Sequence, residues 1–362
     1  MDTFAFIIHP IDPKRDVSRK YPLLGRVLSE RQIDFFSTFF PPVYISEIEG
    51  IVSVASGKQV KGWFIAAPYT PRRMLELPEQ AVYRKIIQAG RMAERLGAQI
   101  LGLGAFTSVI GDAGVTIARA LDVPVTTGDS YTIAIAVQSV REAARLMEIP
   151  LHEASAAVVG ATGSIGRVCA ELLAEDVQRL FLIARSREKL ERLREQLAGP
   201  GRSEVVVSTS MEVLSQAQLI LTVTSAIEDV VRPEFLQPGS VVCDVARPRD
   251  VSAMVAAARN DILVIDGGMV DVPGAVDFHF NFGFPPRKSY ACMAETIALA
   301  LEGRFEDYTL GKAITRERVE EITAIAEKHG FRLSGFRSFE REVTPEQIEA
   351  VRQNARKRAR RT

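Results

Sequence analysis

The sequence predicts an α/β protein with a Rossmann-type doubly wound parallel sheet, a smaller N-terminal α/β domain and C-terminal helices. Short apolar runs alternate with helical patterns from Ser155 onwards, which is the repeat of a parallel sheet. A glycine-rich turn joins the first of these strands to the helix that follows it. A shorter alternation covers residues 4–126 and predicts a second, N-terminal sheet.

The overall composition excludes several classes of protein. The chain has 362 residues, with 45 basic and 45 acidic side chains, so the net charge is zero and nothing global favours nucleic acid. No apolar run approaches the length of a membrane helix. Three cysteines without metal-ligand spacing and four scattered histidines predict reduced thiols, a cytoplasmic protein and no metal site.

We predict four segments along the chain. Residues 1–130 form an N-terminal α/β substrate domain, and residues 131–275 form the Rossmann domain. Residues 276–335 carry a candidate catalytic cysteine and helices that pack back between the domains. Residues 336–362 form a basic helical tail that is mostly solvated, the alternative being docking to an acidic partner or, peripherally, to an anionic membrane. The basic residues of this tail are Arg352, Arg356, Lys357, Arg358, Arg360 and Arg361.

The glycine turn predicts a dinucleotide site. It follows an apolar run and opens an amphipathic helix at residues 165–173, which is the context that a dinucleotide fingerprint requires. The glycines permit a tight turn, a close approach of the backbone to a pyrophosphate, and packing of the helix on the strand. The free N–H groups at the helix start favour phosphate. The predicted binding residues of this turn are Gly160, Thr162, Gly163, Ser164, Ile165 and Gly166.

The end of the second Rossmann strand predicts NADPH as the cofactor. An NAD site places an acid there for the ribose 2′-hydroxyl, whereas an NADP site uses arginine and small hydroxyl residues for the 2′-phosphate. This strand ends in Ala184-Arg185-Ser186-Arg187, without an acid. Later strand ends add the expected cofactor contacts Thr224, Ser225, Ala226, Gly267 and Gly268.

Cys292 is the candidate nucleophile. Its helix is predicted to begin near Arg287, which would place Lys288 on the same face, one turn before the thiol. A helix N-terminus and a nearby cation both favour the thiolate. Cys169 and Cys243 lie within a predicted helix and strand, where we interpret them as core residues.

The sequence resembles the long-chain acyl-(acyl-carrier-protein) reductases of cyanobacteria over residues 1–333. It departs from their usual pattern at Asp129 and Tyr131, where the family tends to asparagine and histidine. Around Cys243 to Arg249 it is closer to NADP domains of the glutamyl-tRNA reductase and shikimate dehydrogenase type. The matching segments are Leu103-Gly-Ala-Phe-Thr-Ser-Val109, Thr126-Thr-Gly-Asp-Ser-Tyr-Thr132, Val158-Val-Gly-Ala-Thr-Gly-Ser-Ile-Gly166, Tyr290-Ala-Cys-Met-Ala-Glu295 and Lys328-His-Gly-Phe331.

The resemblance implies a specific reaction. An acyl group from an acyl carrier protein or coenzyme A thioester would be held on Cys292 as a thioester, and NADPH would reduce it to a fatty aldehyde. An aldehyde-consuming enzyme is a further expected partner. His279 and Tyr290 are candidate proton donors, and the phenylalanines of residues 35–40 and 278–284 are candidates to line an acyl channel.

Two other functions fit the same scaffold. A shikimate- or quinate-type NADP-dependent dehydrogenase would need a Lys/Asp pair facing its substrate and would keep its activity without Cys292. A non-catalytic NADP-binding regulatory protein would show no turnover.

Overall fold

The structure is a computed structural model that describes residues 1–104, 106–199, 203–226, 230–246 and 249–360. Arg361 of the predicted basic tail lies outside these residues. The chain divides into two compact units, the first made of residues 1–132 and 270–332, the second of residues 133–269 and 333–362. Residues 270–332, which include Cys292, therefore return to the first unit.

The strands and helices are numbered in chain order. The strands are β1 (Asp2–Ile8), β2 (Val43–Val52), β3 (Gln59–Ala66), β4 (Leu101–Leu103), β5 (Val125–Thr126), β6 (Ser155–Val159), β7 (Arg179–Ile183), β8 (Glu204–Ser208), β9 (Leu219–Thr222), β10 (Val241–Asp244), β11 (Leu263–Asp266), β12 (Met269–Asp271), β13 (Gly274–Asp277), β14 (Lys288–Tyr290), β15 (Arg332–Leu333), β16 (Arg337–Ser338) and β17 (Arg341–Glu342). The helices are α1 (Pro13–Lys20), α2 (Pro22–Val27), α3 (Glu30–Ser37), α4 (Pro71–Glu76), α5 (Glu79–Leu96), α6 (Phe106–Val109), α7 (Val115–Arg119), α8 (Asp129–Leu146), α9 (Ser164–Leu173), α10 (Arg187–Leu197), α11 (Ala253–Ala258), α12 (Ala291–Glu302), α13 (Arg316–His329) and α14 (Pro345–Ala359).

The second unit contains the predicted Rossmann sheet. Its strand order is β11-β10-β9-β6-β7-β8, and all of its strand pairs are parallel. Read from the other edge, this is the doubly wound order in which the first strand lies beside the fourth. The ends of β6 and β9 therefore form the switch point of the sheet, where such folds bind their ligands. The predicted fold class is confirmed.

The first unit is built on a mixed sheet of order β13-β2-β3-β1-β4-β5. Strands β3, β1, β4 and β5, in this order across the sheet, are parallel to one another. Strand β2 runs antiparallel to β3, as predicted for a hairpin. Strand β1 is buried on both faces, because Ala5 and Ile7 pack into the core formed with α5 while Phe4 and Phe6 cover glycines of the neighbouring strands. Burial on both faces explains why β1 reads as an uninterrupted apolar run.

The helix that carries Cys292 begins later than predicted. Helix α12 starts at Ala291, after the short strand β14, and ends at Gly303 in the left-handed conformation. The prediction that Lys288 lies on the same helical face as Cys292 is therefore wrong. Lys288 is the first residue of β14, and its Nζ lies 3.0 Å from Oδ1 of Asp271. The proline pair and the charged residues before α12 resemble the start of a helix. In the structure residues 288–290 instead form β14, which pairs with β12 in a three-stranded sheet.

Candidate active site

The glycine turn of the second unit has the geometry of a phosphate cradle. Gly160 has φ +86°, and a Cβ on it would come within 2.6 Å of the carbonyl oxygen of Val223, just beyond β9. A Cβ on Gly166 would come within 2.2 Å of the carbonyl oxygen of Gly160. Both glycines are therefore required by close backbone approach. The turn lies at the switch point of the sheet.

The turn also offers an anion site. Gly163 is the N-cap of α9, and among the described residues no side chain caps this helix end. The nearest atom to a Cβ on Gly163 would be the oxygen of Gly160, at 3.2 Å. Ser164, Ile165 and Gly166 open the helix, where N–H groups and the positive end of the dipole face a bound phosphate. Thr162 lies inside the turn. These residues fit the pyrophosphate of a dinucleotide.

The end of β7 carries the side chains predicted to select NADPH. Ala184 donates its N–H to the carbonyl of Ser208 at 3.4 Å and continues the sheet. Arg185 is exposed, and Arg187 is exposed at the first turn of α10, 3.4 Å from Glu191. Ser186 caps α10 through its side chain. Two guanidinium groups and a hydroxyl therefore stand where a 2′-phosphate would bind.

The later strand ends differ from one another. Thr224 is held by Asp250, whose Oδ2 accepts its backbone N–H at 2.9 Å, and the Thr224 hydroxyl in turn accepts from the N–H of Ala226 at 3.1 Å. Ser225 lies between them. Gly267 is required by packing, because a Cβ there would lie 2.9 Å from Sγ of Cys243. Gly268, with φ +81° and open space around it, remains a candidate for backbone contact with a ligand.

Cys292 differs from the other two cysteines in its surroundings. It is the second residue of α12, whose N-cap is Tyr290, and it is partly exposed. Cys169 and Cys243 are buried, and burial raises the pKa of the Cys169 thiol to about 12. The first turn of a helix favours a thiolate through the free N–H groups and the dipole.

Gly128 brings a second chain segment against Cys292. Gly128 has φ +77°, and a Cβ on it would come within 2.3 Å of the Cα of Cys292. Gly128 follows β5 and precedes α8, so Cys292 lies at the carboxyl edge of the parallel strands of the first unit. One turn further along α12, Thr296 contacts Gly102 of β4 in the same way.

Glu295 holds this contact in place. It is fully buried, and Oε2 accepts the N–H of Tyr131 at 2.8 Å. Oε1 accepts the hydroxyl groups of Thr126 and Thr309. Burial raises the pKa of Glu295, and these hydrogen bonds oppose that rise. The carboxyl group therefore ties the segment around Gly128 to the helix of the thiol.

Asp129 forms a buried acidic pair with Glu295. It is 4% exposed, and its pKa is raised to about 8, first by burial and then by the nearby charge of Glu295. Two carboxyl groups that are buried together cannot both be ionised at low cost. At neutral pH the Asp129 carboxyl is thus protonated and can donate a hydrogen bond, beside the glycine that touches Cys292.

Aromatic rings lead towards Cys292 within the first unit. Phe64 lies 5.7 Å from Phe278 and 5.2 Å from Phe282, measured between ring centroids. Phe284 lies 5.1 Å from Phe282 and 4.5 Å from Tyr290, the N-cap of α12. These five residues form an aromatic row that ends two residues before the thiol. His279 points elsewhere: it is exposed and lies 3.6 Å from Glu49.

The sequence interpretation missed His9. This residue follows β1, is 8% exposed, and its Nε2 accepts the N–H of Phe106 at 3.0 Å. Burial lowers the pKa of His9 to about 4, so the ring is neutral. Because Nε2 accepts, Nδ1 carries the proton, and this atom has no hydrogen-bond partner among the described residues. His9 directly follows β1, which is parallel to β4 and β5 and ends at the same edge of the sheet. This position after a strand was the signal in the sequence that pointed to His9.

The described residues contain neither a membrane-spanning helix nor a cluster of metal ligands. No helix there is both long and apolar enough to cross a bilayer. No group of three or more histidine, cysteine or acidic side chains there has an arrangement that could hold a metal ion.

The chain is similar to several known proteins. Residues 141–266 match the family described as "Shikimate / quinate 5-dehydrogenase". The chain is 34% identical over 285 residues to "Aminotransferase PigE" of a Serratia species, covering 77% of this chain and 33% of that protein, so it spans about a third of that relative's length. Among solved structures, L-tryptophan dehydrogenase from Nostoc punctiforme is 14% identical with a TM-score of 0.43, covering 100% of this chain and 89% of the other.

A further relative covers nearly the whole chain. The long-chain acyl-[acyl-carrier-protein] reductase of Synechococcus elongatus is 30% identical over 346 residues, which cover 91% of this chain and 98% of that protein. The second unit is thus an NADP-binding domain with NADPH as its cofactor, and the chain is an NADP-dependent oxidoreductase. The chain belongs to the family of long-chain acyl-(acyl-carrier-protein) reductases.

Proposed function

We propose that this protein reduces a long-chain fatty acyl thioester to a fatty aldehyde through an acyl group held on Cys292. The acyl donor is an acyl carrier protein or coenzyme A, and the aldehyde passes to an enzyme that consumes it. The observation that carries the proposal is the position of Cys292. It is the partly exposed cysteine, it lies in the first turn of α12, and the aromatic row ends beside it.

The first step is thioester exchange. The Cys292 thiolate attacks the acyl carbonyl carbon, a new C–S bond forms, and the bond to the carrier sulfur breaks. The carrier leaves as a thiolate that takes up a proton. One thioester replaces another, so the step is close to neutral in free energy. The apolar acyl chain would lie along the row formed by Phe64, Phe278, Phe282, Phe284 and Tyr290.

The second step reduces the acyl carbon. The glycine turn and the Arg185 to Arg187 segment would hold NADPH, which would supply the hydride for this reduction. The oxyanion on the Cys292 hemithioacetal needs hydrogen-bond donors until it collapses to the aldehyde and the thiolate. N–H groups of the first turn of α12, and the protonated Asp129 carboxyl, support this role. Cleavage of the C–S bond then releases the aldehyde and restores the thiolate.

A two-part assay tests the proposal. The purified protein is incubated with a long-chain acyl-CoA without NADPH, and the peptide containing Cys292 is analysed by mass spectrometry for the acyl group. NADPH is then added, and aldehyde is measured together with NADPH consumption. We expect acylation of Cys292 in the first part and aldehyde in the second, with both lost in Cys292→Ser.

The matched control is Cys169→Ala, which removes a buried thiol from the second unit and should leave both parts intact. Aldehyde formation by Cys292→Ser would contradict the proposal, as would turnover with no acyl adduct. Repeating the assay with the same acyl group on acyl carrier protein identifies the preferred donor from kcat/KM.

A shikimate- or quinate-type dehydrogenase is the second candidate function. The match of residues 141–266 to that family favours it, and a Lys/Asp pair is available in the first unit, where Lys288 lies 3.0 Å from Asp271. For this function Cys292→Ser would keep full activity and Lys288→Met would abolish it. The acyl-reductase proposal predicts instead that Cys292→Ser abolishes activity and that Lys288→Met retains it.

A further inference from the structure

Exposed apolar side chains are concentrated in one segment of the first unit. Of the thirteen large hydrophobic residues exposed in the described part of the chain, nine lie between residues 21 and 44. Leu23 and Val27 are each 77% exposed, and Phe39 is 70% exposed. Large exposed apolar patches on a folded domain mark interaction surfaces. The nine residues are Tyr21, Leu23, Leu24, Val27, Phe35, Phe36, Phe39, Phe40 and Tyr44.

The helices of this segment are individually well formed. Asp12 caps α1, and Ser29 and Gln32 form a capping box at the start of α3. Gly25 of α2 packs so closely on Ser18 of α1 that a Cβ would meet the Ser18 side chain at 1.8 Å. The apolar side chains are thus displayed by a folded helical surface.

The segment is also fastened to the body of the unit. Arg73 lies 3.2 Å from Asp34 of α3, and Lys85 donates to the carbonyl oxygens of Thr38 and Phe40. Lys20 donates to the carbonyl of Ile45 at 2.6 Å. These polar contacts hold the backbone of the segment, and the rings of Phe36 and Phe39 each pack in a T-shaped arrangement on the ring of Phe35.

The charges of the segment favour an anionic partner. Three of its acids are neutralised locally, Asp12 by Arg15, Asp16 by Arg19 and Asp34 by Arg73. The remaining charged side chains are the exposed Lys14, Arg26, Glu30 and Arg31, and the partly buried Lys20, which donates to the carbonyl of Ile45. Among the described residues Lys14, Arg26 and Arg31 are in no ion pair. The surface is therefore apolar and aromatic with an excess of positive charge.

We propose that helices α1 to α3 and the following residues to Tyr44, here called the aromatic platform, bind peripherally to an anionic lipid surface. Helices that lie in a bilayer interface combine a large apolar face containing Phe or Leu with Lys and Arg at the rim, because the rings enter the interface while the cations meet lipid phosphates. Aromatic residues are favoured at that depth.

The platform also adjoins the aromatic row. The guanidinium of Arg19 in α1 packs on Gly283, between Phe282 and Phe284, so that a Cβ there would lie 2.7 Å from it. If the proposed acyl-reductase function holds, on which this further step rests, lipid binding would place the row next to the bilayer. The long-chain aldehyde could then leave into lipid without crossing water.

Vesicle flotation tests the binding itself. The full-length protein is mixed with vesicles of phosphatidylcholine alone or of an equal mixture of phosphatidylcholine and phosphatidylglycerol. We expect flotation with the anionic vesicles, weakened by added salt, and little with phosphatidylcholine alone. Leu23→Ser with Phe39→Ser, and separately Arg26→Glu with Arg31→Glu, should each weaken binding about tenfold or more.

The matched control is Val54→Ser, which removes an equally exposed apolar side chain of the same unit that lies outside the platform. It should float like the wild type. Equal flotation of wild type and both double variants would overturn the proposal, as would no flotation at all. Light scattering would detect dimers that form as the protein concentration rises. If Leu23→Ser with Phe39→Ser abolished such a dimer, the platform would bind a second copy of the chain and the lipid proposal would be wrong. Cys292→Ser should float normally, so failure of the proposed catalysis would not affect this result.

Discussion

Gly128 lies directly against Cys292. A Cβ on Gly128 would come within 2.4 Å of the Cβ of Cys292 and within 2.6 Å of its carbonyl oxygen. No side chain larger than hydrogen fits without displacing the first turn of α12. The two residues come from chain segments that are far apart in sequence and meet at the carboxyl edge of the first sheet.

This contact predicts that Gly128→Ala is more harmful than an ordinary glycine replacement. The alanine would be strained at φ +77° and would also collide with the backbone of α12. Gly97→Ala is the control, because Gly97 has φ +87° with nothing within 4 Å of the added Cβ. We expect Gly97→Ala to lower the free energy of unfolding by about 1–2 kcal/mol, and Gly128→Ala to lower it further and reduce alkylation of Cys292. Equal effects in urea denaturation would show that the contact is unimportant.

Glu295 should act as a positioning residue. Glu295→Ala leaves the N–H of Tyr131 and the hydroxyl of Thr126 without their buried acceptor, which costs about 1–3 kcal/mol for each group, whereas the Thr309 hydroxyl keeps Ser130 Oγ as a partner. Glu295→Gln keeps the shape and should recover most of the stability. Urea denaturation gives the free energies of unfolding, with Glu320→Ala on the exposed face of α13 as the control. A Glu295→Ala protein as stable as that control would refute the role.

The buried Asp129 predicts an unusual dependence of stability on pH. Its pKa is raised from 3.8 to about 8, so the folded protein keeps a proton that the unfolded chain releases. The unfolded state binds fewer protons between these two values, and the stabilisation present below about pH 4 is therefore lost as the pH rises towards 8. Asp129→Asn carries no titrating group at this position and should not lose stability over this range. Its free energy of unfolding should therefore rise relative to that of the wild type between about pH 5 and about pH 8.

Thermal unfolding across that range measures the effect. Asp122→Asn is the control, because the Asp122 side chain is 92% exposed. A constant difference between wild type and Asp129→Asn at all pH values would mean that Asp129 titrates as an ordinary carboxylate.

Arg185 should determine the choice of cofactor. Arg185→Asp removes a guanidinium from the predicted 2′-phosphate site and adds a repelling charge, and a hydrogen bond to a charged group is worth about 1.5–3 kcal/mol. We expect kcat/KM for NADPH to fall about tenfold to a hundredfold, with a smaller change for NADH. Arg192→Asp, on the same helix α10 but outside the turn, should change neither value. Equal use of both cofactors by the wild type would contradict the assignment.

Local patterns predicted much of this structure. The strand, turn and helix around Gly160 appear within a residue of the predicted bounds, because glycine spacing and apolar runs act over a few residues. Helix α12 was predicted to start four residues early, since pairing of β14 with other strands is not a local property. The phenylalanines of residues 35–40 carried no signal to separate a channel lining from the exposed surface that the structure shows.

The sequence by itself determined the Rossmann fold, the glycine turn and NADPH as the cofactor, and it predicted Cys292 as the candidate nucleophile. These rest on short motifs whose backbone requirements can be read from neighbouring residues. Only the tertiary structure decided that Gly128 touches Cys292, that Asp129 and Glu295 share a buried site, and that His9 is buried with its Nε2 accepting the N–H of Phe106. Such pairings depend on which strand ends meet at one sheet edge, and burial then sets the protonation state of each group.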